Sequence, residues 1–151
     1  MSAAQRRRGN RAEVAVVNYL RGQGWPDARR YLAGDGRQPG DIDWHPLVCL
    51  EVKDWASSSW PSWCRQAAAE ARPGMVPVVV RRMRGVTDVG EWECRAPGAA
   101  MSEAFGPAIT NAAVNATKID GYSLWQMVDD APWLTCWTMA GLVAAVKAVD
   151  A

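Results

Sequence analysis

Apolar residues recur along the first half of the chain with two different periods. In residues 10–23 they return every three or four positions, which predicts an amphipathic helix. Short later runs alternate in polarity or are apolar throughout, as strands are. An alanine-rich segment between Pro61 and the pair Pro73-Gly74 predicts a second helix. The predicted order is a helix at 10–23, a strand at 28–33, a glycine-rich loop at 34–40, strands at 41–45 and 47–53, a helix at 61–72 and a strand at 76–82.

The second half of the chain contains two candidates for the next strand, at residues 87–95 and 133–137. Residues 139–149 have the apolar spacing of a final amphipathic helix. Residues 96–131 are rich in Ala, Gly and Asn, and we predict that they form an insertion with a short helix at 99–105. Together the elements predict a single α/β domain with a central mixed β-sheet flanked by helices.

The composition is typical of a globular protein of 151 residues, with 49% apolar and 22% charged residues. No apolar run is long enough to cross a bilayer, and the stretch Gln5-Arg6-Arg7-Arg8 is not followed by the apolar segment of a signal peptide. We therefore expect a soluble, cytoplasmic protein without a membrane segment. The four cysteines lie far apart in the sequence, so neither a zinc site nor a disulfide framework is expected.

The net charge of +1 conceals an uneven distribution of charged residues. Residues 1–95 carry 15 basic and 11 acidic side chains, whereas residues 96–151 carry 2 basic and 5 acidic ones. The first part is therefore the one suited to a polyanion such as DNA, whose phosphates arginines neutralise. For the N-terminal arginines, an arm that becomes ordered on binding is an alternative, and for each arginine a solvated surface position is another. The candidate DNA-binding residues are Arg6, Arg7, Arg8, Arg11, Arg29, Arg30, Arg81 and Arg82.

Three carboxylates and one ammonium group fall on two neighbouring predicted strands. Side chains alternate faces along a strand, so Asp41 and Asp43 project to the same side, and so do Glu51 and Lys53. If the two strands pair as a hairpin, one face of the hairpin carries only charged groups. The intervening apolar residues are expected to point into the core: Ile42, Leu50 and Val52.

Residues of these types suit a metal-dependent phosphodiesterase. Mg²⁺ prefers oxygen ligands and usually takes only one or two protein carboxylates, a role that fits Asp41 and Glu51. A nearby lysine such as Lys53 could orient a nucleophile or stabilise charge on a phosphate. The pattern alone also fits a solvated polar face.

Two helical residues bear on the choice between these interpretations. Glu13 shares a helix face with apolar residues, and a buried carboxylate needs a partner or a function. The alternative is that Asn10 caps the helix and Glu13 completes a capping box. Gln66 lies on the predicted second helix, where a solvent-facing amide is the ordinary expectation.

Asp41, a nine-residue gap and Glu51-Val52-Lys53 resemble the PD-(D/E)XK nuclease motif. With Gln66 on the following helix and the strand that ends in Arg81-Arg82, the chain is similar to the small phage and archaeal-type Holliday junction resolvases of that superfamily. The resemblance implies a restriction-endonuclease-like core and a homodimer that cuts branched DNA with Mg²⁺, for which Mn²⁺ could substitute.

The resemblance also implies the roles of individual residues. Asp41, Glu51 and the carbonyl of Val52 would hold a metal ion, and Glu13 a second metal ion or its water. Lys53 would position the nucleophile, and Gln66 would orient Lys53. The catalytic set is therefore Glu13, Asp41, Glu51, Lys53 and Gln66.

Other interpretations stay open from the sequence. Another nuclease of the same superfamily, of the restriction or recombination-exonuclease type, would prefer duplex DNA, and an inactive DNA-binding module would keep the fold without the chemistry. Some of the nine tryptophans could stack on unpaired bases, although core packing is their usual role. Asp35 and Asp43 are possible additional metal ligands, and His45 is expected to be structural.

Overall fold

The computed structural model describes residues 2–32, 38–55, 59–107, 125–128 and 131–151 of the chain. It is an α/β fold built on a mixed five-stranded sheet, with a separate two-stranded sheet beside it. The elements, in chain order, are α1 (Ala3–Gly22), β1 (Arg29–Arg30), β2 (Ile42–Asp43), β3 (Val48–Lys53), α2 (Trp60–Glu70), β4 (Val76–Arg81), a 3₁₀ turn (Val89–Glu91), β5 (Glu93–Pro97), α3 (Gly98–Phe105), β6 (Trp125–Val128), β7 (Ala131–Thr138) and α4 (Met139–Asp150).

Helix α1 begins seven residues earlier than the sequence pattern predicted. Ser2 is its N-cap, and the Ser2 and Gln5 side chains each accept a hydrogen bond from the other residue's backbone N–H. This reciprocal capping box satisfies amide groups that a helix start leaves without partners. The alternative in which Asn10 caps the helix and Glu13 completes the box is therefore wrong. Both residues lie inside the helix.

The central sheet has the strand order β3-β4-β5-β7-β6, so β3 is an edge strand. Strands β3 and β4 are parallel, with Val48 opposite Val76 and Lys53 opposite Arg81, and α2 forms the crossover between them. The remaining pairs are antiparallel. The strand candidate at 133–137 is confirmed, since it lies within β7, which pairs with β5. The candidate at 87–95 is correct only for its last three residues, which belong to β5, because residues 89–91 form the 3₁₀ turn.

The hairpin considered for residues 41–45 and 47–53 does not form. Strand β2 pairs instead with β1, with Arg29 opposite Asp43. The contact between this part of the chain and β3 is a single bridge in parallel orientation from Gly40 to Leu50. Because β3 is an edge strand, its free side can accept this approach without a full ladder.

Helices cover the two faces of the sheet and enclose two apolar clusters. The larger cluster lies between the sheet and helices α1, α3 and α4, and it includes Ile42, Leu50 and Val52 as predicted. The smaller cluster lies on the face covered by α2, where Trp60 and Trp63 pack against Val79 and Trp133. These two tryptophans of α2 therefore belong to the core.

The segment predicted as an insertion, 96–131, contributes to the core where the structure describes it. Its short helix, predicted at 99–105, is α3, and Met101 and Phe105 are buried in the larger cluster. Cys49, Cys64 and Cys94 are buried free thiols. The side chain of Cys136 lies outside the described part of the structure. None of the helices in the described ranges has the length and apolar character needed to span a membrane.

Gly40 holds the chain close to β3 and gives a test of this packing. Its φ is +81°, and a Cβ placed on it would lie 2.6 Å from the Leu50 carbonyl oxygen. Gly85 has a similar φ of +75° but nothing within 4 Å of such a Cβ. We expect Gly85→Ala to cost about 1 kcal/mol of unfolding free energy from backbone strain, and Gly40→Ala to cost at least about 2 kcal/mol from strain and overlap. Urea titration measures both costs, and equal costs would contradict the close approach at Gly40.

Candidate active site

The carboxylate of Asp41 is fixed against the free edge of β3. The Asp41 backbone N–H donates to the Leu50 carbonyl at 2.8 Å, and Asp41 Oδ2 accepts from the Val52 N–H, also at 2.8 Å. In a strand, the N–H and C=O of one residue point to the same side of the ladder. The Val52 carbonyl therefore shares the edge at which the Asp41 carboxylate lies.

Glu51 and Lys53 project from β3 toward α2. The Glu51 residue is only 1% exposed, and its Oε2 lies 3.1 Å from Lys53 Nζ. Lys53 Nζ also donates to Gln66 Oε1 at 2.8 Å. The parallel β3-α2-β4 unit places α2 over this side of the strand, which is why residues separated by 13 positions in the sequence meet here.

Glu70 belongs to the same group and was missed by the sequence analysis. Gln66 Nε2 donates to Glu70 Oε1 at 3.2 Å. The two residues are four positions apart on α2, so they occupy neighbouring positions on one face of the helix. The four-residue spacing is the feature of the sequence that could have indicated this contact. A single glutamate near the end of a helix, however, usually faces solvent.

Glu13 reaches the same region from α1, which packs on the opposite face of the sheet. Its Oε2 accepts from Arg30 Nε, and the other end of that guanidinium donates to Asn10 Oδ1 at 2.8 Å. The Glu13 side chain is 18% exposed. Arg30 of β1 was predicted to bind DNA, and in the structure it is held in the cleft by two residues of α1.

These side chains line a cleft at the edge of the sheet. One part of the cleft has a volume of about 920 Å³ and the other about 520 Å³. Glu13, Asp41, Glu51 and Gln66 line both parts, while Lys53 lines the smaller one. All five predicted catalytic residues therefore meet in one place, and they come from α1, the loop before β2, strand β3 and helix α2.

Burial raises the pKa values of three carboxyl groups in the cleft. Burial raises the pKa of Glu51 to about 9, and hydrogen bonding with Glu70 and repulsion from Asp41 act in the same direction, while Lys53 opposes them. Burial also raises the pKa of Asp41, against the stabilising hydrogen bond from the Val52 N–H and the charge of Lys53. The pKa of Glu13 is raised by burial and by Asp41, although Arg30 lowers it. The charge of Lys53 therefore offsets only part of the burial and repulsion that act on Glu51.

The donor set of the cleft fits a hard divalent cation. Among the described residues, Glu51 Oε2 is a buried oxygen that accepts no hydrogen bond of acceptable geometry. The Asp41 carboxylate and the Val52 carbonyl offer further oxygens at the same edge. No three His, Cys, Asp or Glu side chains in the described ranges are grouped closely enough to enclose a metal ion. Carboxylate and carbonyl oxygens of this kind are the donors that Mg²⁺ takes, usually with only one or two protein carboxylates among its ligands.

The predicted DNA-binding arginines divide into two groups. Arg6, Arg7, Arg8 and Arg11 are exposed on α1. The other four lie in β1, or at and just after the end of β4. Arg29 pairs with Asp43 at 2.9 Å, Arg30 with Glu13 and Asn10, and Arg82 with Asp54 at 3.3 Å, while the Arg81 guanidinium lies 5.9 Å from the Trp60 ring centre.

The remaining residues considered in the sequence analysis differ in their position relative to the cleft. Trp55 is 43% exposed and lines the smaller part of the cleft. The His45 ring lies 3.0 Å from Asp150 Oδ1 at the end of α4, which agrees with a structural role. Asp43 pairs with Arg29, and Asp35 lies outside the described residues.

Neither a family model, nor a curated protein, nor a solved structure matches this chain. The assignment of a function therefore rests on the residues of the cleft, their geometry and the resemblance of their pattern to a nuclease motif.

The buried Glu51 carboxyl predicts how stability of the metal-free protein depends on pH. Because its folded pKa lies above the ordinary value of 4.5, the folded state holds the proton more tightly, and stability falls as pH rises from about 4.5 to about 9. Glu51→Gln keeps the shape of the side chain without its charge, so the unfolding free energy of this variant should depend less on pH. In EDTA at pH 8 we expect it to raise the unfolding free energy by roughly 1 kcal/mol or more, about 2–4 °C in Tm.

Asp43→Asn is the matched control, since Asp43 is a half-buried carboxylate that pairs with Arg29 and does not line the cleft. Thermal unfolding followed by circular dichroism from pH 5 to 9 makes the comparison. A wild-type Tm that rises over this range would contradict the burial of a carboxyl group that lacks enough compensating partners. An equal change of Tm with pH in Glu51→Gln and in the wild type would contradict it as well.

Proposed function

We propose that this protein is a metal-dependent DNA endonuclease of the PD-(D/E)XK superfamily, and that it cuts Holliday junctions or other branched DNA. The observation that carries the proposal is the meeting of Glu13, Asp41, Glu51, Lys53 and Gln66 in one cleft, although four separate elements supply them. A merely solvated polar face would not bury Glu51 beside a second carboxylate.

The arrangement of elements supports a restriction-endonuclease-like core. A helix precedes the acidic segment, Glu51 and Lys53 lie on a strand, and a crossover helix leads to a parallel partner strand. Mixed sheets with helices on both faces occur in many unrelated proteins, so the fold alone does not identify the function. The proposal depends on the fold and the cleft together.

Magnesium fits the cleft as the cofactor, with Mn²⁺ as a substitute. Asp41, Glu51 and the Val52 carbonyl would hold it. When bound, such an ion stabilises negative charge on phosphate oxygens and lowers the pKa of water. Its positive charge would also relieve the repulsion between Asp41 and Glu51, which gives the crowding of these two carboxylates a function.

The other side chains of the cleft have roles that follow from their contacts. Lys53, held between Glu51 and Gln66, can donate a hydrogen bond to an attacking water or to a phosphate oxygen. Arg30 brings a planar guanidinium, which suits phosphate recognition. Glu13 and Asn10 hold that guanidinium in the cleft. This contact adds an orienting role for Glu13 to the metal-binding role that its position suggested.

The surface around the cleft supports DNA as the substrate. The exposed arginines of α1 lie on the helix that also brings Glu13 into the cleft. Arg6 and Trp55 both line the smaller part of the cleft, so a basic and an aromatic group flank the acidic centre. Arginine binds phosphates without sequence preference, and an exposed tryptophan can stack on an unpaired base, as found in branched DNA.

The resemblance to junction resolvases extends the proposal beyond the single chain. It implies a homodimer with two active sites that cut opposing strands, and action on DNA in the cytoplasm. A junction offers two symmetry-related strands, and a two-fold dimer would present one cleft to each of them.

Substitutions within the cleft test the proposed chemistry. Asp41→Ala and Lys53→Ala should each lower the rate of cleavage of a synthetic four-way junction by about 100-fold or more in Mg²⁺, because each removes a group that stabilises the transition state. Binding to the same junction, measured by gel shift in EDTA, should change little. Asp43→Ala removes a carboxylate two residues from Asp41 but outside the cleft, and it should cleave like the wild type.

The same assay, with the linear arms of the junction as a second substrate, separates the alternatives. Equal cleavage of arms and junction would indicate another nuclease of the superfamily. Junction binding without cleavage in Mg²⁺ or Mn²⁺ would indicate an inactive DNA-binding module. Full activity of Asp41→Ala or Lys53→Ala would exclude this cleft as the active site.

A further inference from the structure

The amide of Gln66 has one orientation that satisfies both of its neighbours. An amide carries an acceptor oxygen at one end of its plane and a donor NH₂ group at the other. In the structure the oxygen accepts from the Lys53 ammonium at 2.8 Å, and the NH₂ group donates to Glu70 at 3.2 Å. The ammonium can only donate and an ionised carboxylate can only accept, so a reversed amide would lose both hydrogen bonds.

Glu70 is the partner that makes the reversal unfavourable. If Glu70 were absent, the NH₂ end of Gln66 would face solvent, because Gln66 is an exposed residue near the end of α2. Water hydrogen-bonds to either end of an amide, so the amide could turn and place its donor end toward the ammonium. The four-residue spacing on a helix keeps Glu70 within reach of Gln66.

We propose that Glu70 is a positioning residue that acts through Gln66 to hold the Lys53 ammonium beside Glu51. The path of contacts runs from Glu70 Oε1 to the Gln66 amide, then to Lys53 Nζ, and then to Glu51 Oε2 at 3.1 Å. Glu70 also hydrogen-bonds directly with Glu51, so only an effect on Lys53 that requires Gln66 counts as positioning through the amide. Its consequence for DNA cleavage rests on the proposed function. The positioning itself can be measured without cleavage.

The chain has only three lysines, which makes the Lys53 amine accessible to a chemical test. Limited acetylation with acetic anhydride, followed by peptide mass spectrometry, gives the labelling rate of Lys53 relative to Lys147, an exposed lysine on α4. Both Glu70→Ala and Gln66→Ala should raise the Lys53 to Lys147 ratio by roughly three- to fivefold, since each weakens the hydrogen bonding that restrains the amine. The double variant should label no faster than Gln66→Ala alone.

Two further variants separate positioning from charge and from general destabilisation. Glu70→Gln keeps an acceptor oxygen for the Gln66 NH₂ group and should restore the wild-type ratio to within about twofold. Glu103→Ala removes an exposed glutamate from α3 and should leave the ratio unchanged. Labelling of Glu70→Gln as fast as Glu70→Ala would overturn the proposal, because the negative charge would then be what matters. Additive effects in the double variant would overturn it too.

Junction cleavage by the same variants forms the second arm of the experiment. Glu70→Ala should lower kcat with KM nearly unchanged, Glu70→Gln should recover the rate, and the double variant should match Gln66→Ala. If labelling follows the prediction but the wild type cleaves no DNA, the positioning stands and the nuclease proposal fails. If the wild type cleaves DNA but the labelling ratio of Glu70→Ala is unchanged, the nuclease proposal stands and the positioning role fails.

Discussion

The burial of the Glu51 carboxyl beside Asp41 is the constraint on which the rest of the site depends. A buried carboxylate is expensive unless a charge or hydrogen bonds compensate for it, and a second carboxylate close by increases the cost. Lys53 supplies one positive charge at 3.1 Å from Glu51, while Glu13 and Glu70 bring further negative charge to the same cleft. Arg30 balances Glu13. The proposed cation would relieve the repulsion that remains between Asp41 and Glu51, and this would connect the stability of the fold to the proposed chemistry.

The position of β3 at the edge of the sheet explains how these groups can meet. One face of β3 packs against α1 and the other against α2, so Glu13 and Gln66 approach the same edge from opposite sides. An edge strand also leaves backbone groups free on its outer side. The Asp41 segment uses them through the Gly40–Leu50 bridge and the Val52 N–H, and a side chain at position 40 would block this approach.

Much of this arrangement follows from local sequence pattern, and the rest depends on long-range packing. Alternation predicted that Ile42, Leu50 and Val52 face the core, and the apolar spacing predicted α1 and α4. The strand pairing could not be predicted, since β2 is only two residues long and its partner is set by the register of Arg29 and Asp43. The role of Glu70 could not be read from the sequence either, because it depends on the rotation of α2 against β3. Gln66 was predicted as a site residue only because of the nuclease resemblance, since the pattern of polar and apolar residues does not distinguish it from a solvent-facing glutamine.

Calorimetric titration with Mn²⁺ measures the central claim most directly, because it asks whether the carboxylates of the cleft bind a cation before any DNA is present. The wild type should bind Mn²⁺ at pH 7.5, and Glu51→Gln should weaken that binding by more than about tenfold, as expected for loss of a direct ligand. Asp43→Asn should bind like the wild type. Absence of Mn²⁺ binding by the wild type, or equal affinity of Glu51→Gln, would contradict the account.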